Sequence, residues 1–163
     1  MAKKIRDRIN IRKRLNKISE KKIMETIIVI LLSVFTAFVA FYSMRLGRYS
    51  SLVIFALGII PVLIAFFLRI DLKRMIPDII FGLTDNLLLI IPAIIGAELF
   101  GAAGALAGAV VGNAISDAVA GYFEGNISEF LHSRGIDATR TVLGSSLGKM
   151  SGCLVVGIFL IFF

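Results

Sequence analysis

Seven side chains in the C-terminal half could hold or balance a cation: Asp85, Asn86, Asn113, Ser116, Asp117, Glu124 and Lys149. They lie within or at the rims of long apolar runs, where an ionisable group costs about 2.5–3.5 kcal/mol on insertion scales and therefore marks a site. Asp85 lies seven residues inside Asp78, Asp117 seven before Glu124, and Lys149 nine after Arg140. With Asp78, Glu124 and Arg140 taken as interface markers, a rise of about 1.5 Å per residue places all three groups about 10–14 Å below the surface. Asn113, Ser116 and Asp117 follow the i, i+3, i+4 pattern that puts them on one helical face, and Glu124 continues it. Asp85 and Asn86, about 100° apart, can flank a cavity. Pro92 cannot donate to Leu88 and frees a backbone carbonyl nearby. Such hard oxygens suit Ca²⁺, Mg²⁺ or Na⁺. Soft metals are disfavoured because the chain has one Cys and one His. Lys149 can pair with Asp85 or Asp117 when no ion is bound and yield to a divalent cation. The competing reading makes Asp85, Asp117 and Lys149 a static salt bridge that locks the bundle.

The elements that must position these groups are membrane helices. Of 163 residues, 58% are hydrophobic, above the share usual for a soluble domain of this size. The 18 Lys and Arg outnumber 11 Asp and Glu, yet ten of the basic residues fall between Lys3 and Lys22. Thr26 to Met44 and Tyr49 to Leu68 are charge-free runs of 19 and 20 residues, the length a helix needs to span a bilayer. Joined by a short link around Arg45 and Arg48, they form an antiparallel hairpin. Ile79 to Phe100, Gly101 to Phe123 and Thr141 to Phe163 make three further spans, with Pro77 in a first helical turn and a polar loop from Glu124 to Arg140. The expected fold is an all-α integral membrane protein of five transmembrane helices. It divides into a basic cytoplasmic or interfacial tail (1–23), an N-terminal hairpin (24–70) and a three-helix core with the cation site (76–163). Lys and Arg accumulate on the N-terminal side, so the positive-inside rule puts the N-terminus in the cytoplasm and the C-terminus outside.

Small residues recur on two of the core helices. Gly104, Gly108 and Gly112, and again Gly144, Gly148 and Gly152, repeat every four residues and permit close helix approach. Packing within one subunit and a dimer seam both use that spacing. Three short helices hardly enclose a path alone, so a homodimer through these faces is expected.

Phe81-Gly82-Leu83-Thr84-Asp85-Asn86, Gly112-Asn113-Ala114-Ile115-Ser116-Asp117, Ala120-Gly121-Tyr122-Phe123-Glu124, Leu147-Gly148-Lys149 and the closing Phe159-Leu160-Ile161-Phe162-Phe163 resemble the transmembrane protein 65 family. The resemblance covers Phe81 to Phe163. It implies a three-helix unit with a part in Na⁺-dependent Ca²⁺ extrusion, as exchanger or regulator, using Asp85, Asn86, Asn113, Ser116, Asp117, Glu124 and Lys149. Met1 to Ile80 has no counterpart in that family. The basic tail, with Asp7 and Glu20 and little Ser, is unlike a transit peptide, which points to a prokaryotic relative in a plasma membrane.

The functional expectation is a gradient-driven cation transporter of the Na⁺/Ca²⁺-exchange kind, with Ca²⁺ or Na⁺ as cargo and no organic cofactor. Mg²⁺ or another divalent ion is one alternative; a non-transporting scaffold or regulatory subunit is another. No G-x-x-x-x-G-K-[ST] motif is present. His132 falls in the polar loop, and no Ser or Cys has a partner base at helical spacing, so an enzyme is not expected. The expected partners are the lipid bilayer and a second copy of the chain, with no nucleic acid.

Overall fold

The computed structural model describes backbone over 2–136 and 141–162 and side chains over 18–47, 49–136 and 141–159. The chain is 94% helix and has no strand among the described residues. Helix α1, Ala2–Ser43, carries the basic N-terminal stretch unbroken into the first apolar run. At about 1.5 Å per residue its 42 residues are about 63 Å long, twice a hydrocarbon core. A 3-10 segment, Met44–Tyr49, turns the chain, with Gly47 at φ 56°, ψ −126°, a region open only to glycine. Helix α2, Ser50–Phe67, returns alongside.

Helix α3, Leu72–Ser133, is in fact two helical arms joined at a non-helical residue, Gly101. Gly101 adopts φ 62°, ψ −147° and reverses the chain. The first arm (72–100) and second arm (102–133) then lie antiparallel: Gly96 meets Gly104, Gly108 meets Pro92, and Gly112 meets Leu89. A Cβ on Gly104 or Gly108 would enter the backbone opposite.

Helix α4, Val142–Val155, starts at the Thr141 cap, whose hydroxyl accepts from Gly144 N–H at 3.0 Å, and runs on as 3-10 helix Val156–Phe162. It lies in the middle of the bundle. Gly144 touches Ile70 and Met75, Gly148 touches Asp78, and Gly152 touches Ile79, a rising register that makes α4 parallel to the first arm. On its other side Gly58 abuts Val155 and Gly157 abuts Ile54, so α4 is antiparallel to α2. Ser151 donates to the Gly58 carbonyl at 2.7 Å. Leu32, Ala65, Met75, Leu143 and Leu147 form the buried cluster, drawn from both the N-terminal hairpin and the core segment. Among the described residues four helices are long and apolar enough to cross a membrane: Ile18–Gly47, Ser50–Phe67, Leu72–Ser133 and Val142–Phe159. Large apolar side chains such as Phe38, Phe41, Phe67 and Leu106 point outward. In a protein without a lipid phase such a surface would aggregate, so the molecule is membrane-embedded.

Three expectations change. The first arm begins at Leu72, capped by Asp71 accepting from Lys73 N–H at 3.1 Å, so Pro77 lies inside the helix and not in its first turn. Asp71 at an N-cap outcompetes the weaker proline signal. The stretch after Glu124 is helix to Ser133, which puts His132 on a helix; residues 137–140 of the expected loop lie outside the described residues. Finally, all six glycines on the two repeat faces meet residues of the same chain, which is the intrasubunit use of that spacing.

Candidate functional site

The hairpin at Gly101 sets the register of the polar groups. With Gly112 against Leu89, one further turn brings Ser116 to Asp85, and Ser116 Oγ–H donates to Asp85 Oδ1 at 2.5 Å. Ser116 is completely buried and its Oγ also lies 3.1 Å from the Asn113 carbonyl oxygen. One hydroxyl proton serves two acceptors there, and the shorter contact is to the carboxylate. Asn86, one residue on, points the other way. Its Nδ2–H donates to the Cys153 carbonyl of α4 at 2.8 Å. That acceptor is open because α4 gives way to 3-10 geometry at Val156, where carbonyls of the last α-turn lose their i+4 donors. Neighbouring side chains thus tie the first arm to both of its partners.

Asn113 and Asp117 bond to one another across a helical turn, Nδ2–H to Oδ2 at 3.1 Å, and both are exposed on the second arm. The expected common face is therefore divided. Residues 116 and 117 are about 100° apart on a helix, enough to straddle the edge of the arm–arm contact. Ser116 falls inside that edge and Asp117 outside.

Lys149 departs further. Gly82 lets the α4 backbone approach so closely that a Cβ there would strike the Lys149 carbonyl. Lys149 therefore sits level with Gly82, a turn short of Asp85, and its long side chain extends toward the Asp78 end. Its Nζ lies 3.5 Å from Glu124 Oε2 and 4.0 Å from the Phe81 ring centroid. The ammonium is thus held by a carboxylate and an aromatic face, and the expected pairing with Asp85 or Asp117 is replaced by one with Glu124. Only 15% of the Glu124 side chain is exposed, against 39% for Lys149, which makes the pair the half-open end of the polar column.

A further carboxylate belongs to the column. Asp78, used above only as an interface marker, is fully buried and accepts from Ser145 Oγ–H at 2.5 Å. Gly148 leaves the room for it. The signal was present in the sequence, since Asp78, Gly82 and Asp85 fall at i, i+4, i+7 on one face.

Chemically the column offers the Asp85 carboxylate, the Ser116 hydroxyl and the Asn113 carbonyl at one level, with Glu124 a little over two helical turns nearer the Asp78 end. Ca²⁺ takes about 6–8 oxygens and Mg²⁺ about six. Among the described residues no three His, Cys, Asp or Glu cluster to hold a metal ion. No protein-family model, curated protein or solved structure matches the chain.

Proposed function

We propose that the chain is a membrane cation transporter driven by an ion gradient, of the Na⁺/Ca²⁺-exchange kind, as the resemblance to the transmembrane protein 65 family suggests. In this reading α1, α2, the two arms of α3 and α4 with its 3-10 extension make five crossings of a prokaryotic plasma membrane, N-terminus inside. The observation that carries the proposal is the Asp85–Ser116 contact. A carboxylate and a hydroxyl from the two arms of a hairpin meet in the interior, with a backbone carbonyl beside them. An entering cation meets Glu124 first and competes with Lys149 for it. It then takes the Asp85 oxygens while Ser116 turns its lone pairs inward, and Asn86, Asn113 and Asp117 complete the ligand set by rotating from their present partners. Asn113 and Asp117 lie exposed beside Ala114, Ala118 and Gly121, a polar surface at the depth of Asp85 that lipid would penalise. A second copy packed through this face of the second arm would cover it, which relocates the proposed homodimer from the glycine repeats.

The test is flux by the purified protein in liposomes loaded with a Ca²⁺ dye, under an imposed Na⁺ gradient. Gradient-dependent Ca²⁺ movement that Asp85→Asn and Asp117→Asn abolish supports the proposal. A second reading, a non-transporting scaffold, is favoured by one observation: each of Asp85, Asn86, Asn113, Ser116, Asp117, Glu124 and Lys149 already has a partner within the chain. Vesicles that move neither Ca²⁺ nor Mg²⁺ would leave that reading standing.

A further inference from the structure

At the end of the bundle reached by the basic N-terminal stretch, α1, the α2–α3 corner and the start of α4 surround a cavity of about 320 Å³. Lys21, Arg69 and Arg74 line it with a single carboxylate, Asp71. Asp71 is already engaged, capping α3 through Lys73 N–H at 3.1 Å and meeting Arg74 Nε at 3.2 Å. Lys21 lies 3.7 Å from Glu25, but with 73% of its side chain exposed the pair is weakly held.

Arg69 stands in an unusual place. Leu68 ends α2, Ile70 N–H reaches the Ala65 carbonyl at 2.9 Å and Arg69 N–H the Phe66 carbonyl at 3.0 Å, which is the Schellman closure of a helix. Its C′ position needs a left-handed residue, and glycine is the ordinary occupant. Here Arg69 takes φ 57°, alone among the non-glycine residues described. A strained residue whose side chain borders a cavity is grounds for a functional hypothesis.

A second cavity of about 210 Å³ shares Lys21, Leu68, Ile70 and Thr141 with the first and adds Met24, Glu25, Ile28 and Leu143, so the cationic pocket opens along α1 into a groove that is apolar but for Glu25, whose charge faces Lys21. The N-terminal turns of α3 and α4 end at the same place and add partial positive charge.

We propose that this composite cleft binds an anionic glycerophospholipid, its phosphate between Lys21 and Arg69, beside the Asp71–Arg74 pair, and one acyl chain along Met24, Ile28 and Leu143. The apolar continuation favours a lipid headgroup over free phosphate, although the phosphate chemistry is shared. The site does not depend on transport and stands or falls separately from it.

The chain has no Trp, so Met24→Trp, at a largely exposed position on the groove, supplies a single fluorescent reporter. Quenching by phosphatidylglycerol with brominated chains is compared with quenching by brominated phosphatidylcholine in mixed bilayers. The expected result is preferential quenching by phosphatidylglycerol. Arg69→Gly, which removes the cation while supplying the residue the backbone prefers, lowers that preference about fivefold, the effect of one basic residue near an anionic surface. Lys21→Gln shows the same direction should Arg69→Gly fold poorly. Arg69→Lys keeps the preference, and so does Arg45→Gln at the other end of α1. Equal quenching by the two lipids, or an unchanged preference in both Arg69→Gly and Lys21→Gln, overturns the proposal. Displacement of phosphatidylglycerol by millimolar inorganic phosphate would assign the pocket to free phosphate and overturn the lipid assignment.

Discussion

Replacing Ser116 by Ala tests whether the Asp85–Ser116 contact joins the two arms as charged chemistry or as ordinary packing. Ser116 is fully buried, so Ala keeps its Cβ contacts and removes only the hydroxyl that donates to Asp85 at 2.5 Å. Interhelical hydrogen bonds in membrane proteins average about 0.6 kcal/mol in double-mutant cycles, with a maximum near 1.7. A bond to an ionised acceptor is roughly twice a neutral one. Ser116→Ala is therefore expected to cost about 1–1.5 kcal/mol with Asp85 present. In an Asp85→Asn background, where the acceptor keeps its shape and loses its charge, the same change should cost about 0.6 kcal/mol or less. The assay is reversible unfolding in mixed micelles for the four members of the cycle. Equal costs in the two backgrounds would mean that Ser116 does not stabilise a charge on Asp85, and the ion-binding argument built on that contact would fail.

Three glycine substitutions separate backbone geometry from crowding. Gly101→Ala meets no atom within 4 Å yet sits at φ 62°, ψ −147°, a region essentially reserved for glycine, so it should destabilise by about 1–3 kcal/mol from the backbone alone, measured in the same unfolding assay. Gly82→Ala has ordinary helical backbone but places a Cβ against the Lys149 carbonyl and Cys153 nitrogen. It should cost about 1–3 kcal/mol by overpacking and weaken the Asn86–Cys153 bond, visible as faster amide exchange near Cys153. Gly121→Ala has open space around it and should be neutral or stabilising by up to about 1 kcal/mol in the monomer. If it instead lowers the dimer fraction in cross-linking, the exposed face of the second arm is the subunit contact.

Much of the architecture is visible in the residue pattern because a bilayer leaves few choices. Backbone groups in hydrocarbon must bond within their own segment, so long apolar runs can only be helices, and their lengths mark them directly. The reversal before the second arm is legible for a related reason, since Gly101 ends one apolar run and opens the next. The start of the first arm is less legible, because Asp71 among Arg69, Lys73 and Arg74 reads equally as a solvated charge and as a cap. The candidate site divides in the same way. That Asp85, Asn86, Ser116 and Lys149 need partners follows from their cost in hydrocarbon. Which partner each finds does not.

Residue types and their spacing by themselves determined that this chain is helical, that it lies in a membrane, and that its polar groups concentrate on three segments of the C-terminal half. Rotational phase and helix register, decided only by packing, sent Ser116 to Asp85, Asn86 to the Cys153 carbonyl, Lys149 to Glu124 and Ser145 to Asp78. The reason is geometric: periodicity defines a face about 100° wide, but two residues on its edges part company when close contacts at Gly82, Gly112 and Gly148 choose where the neighbouring helix touches.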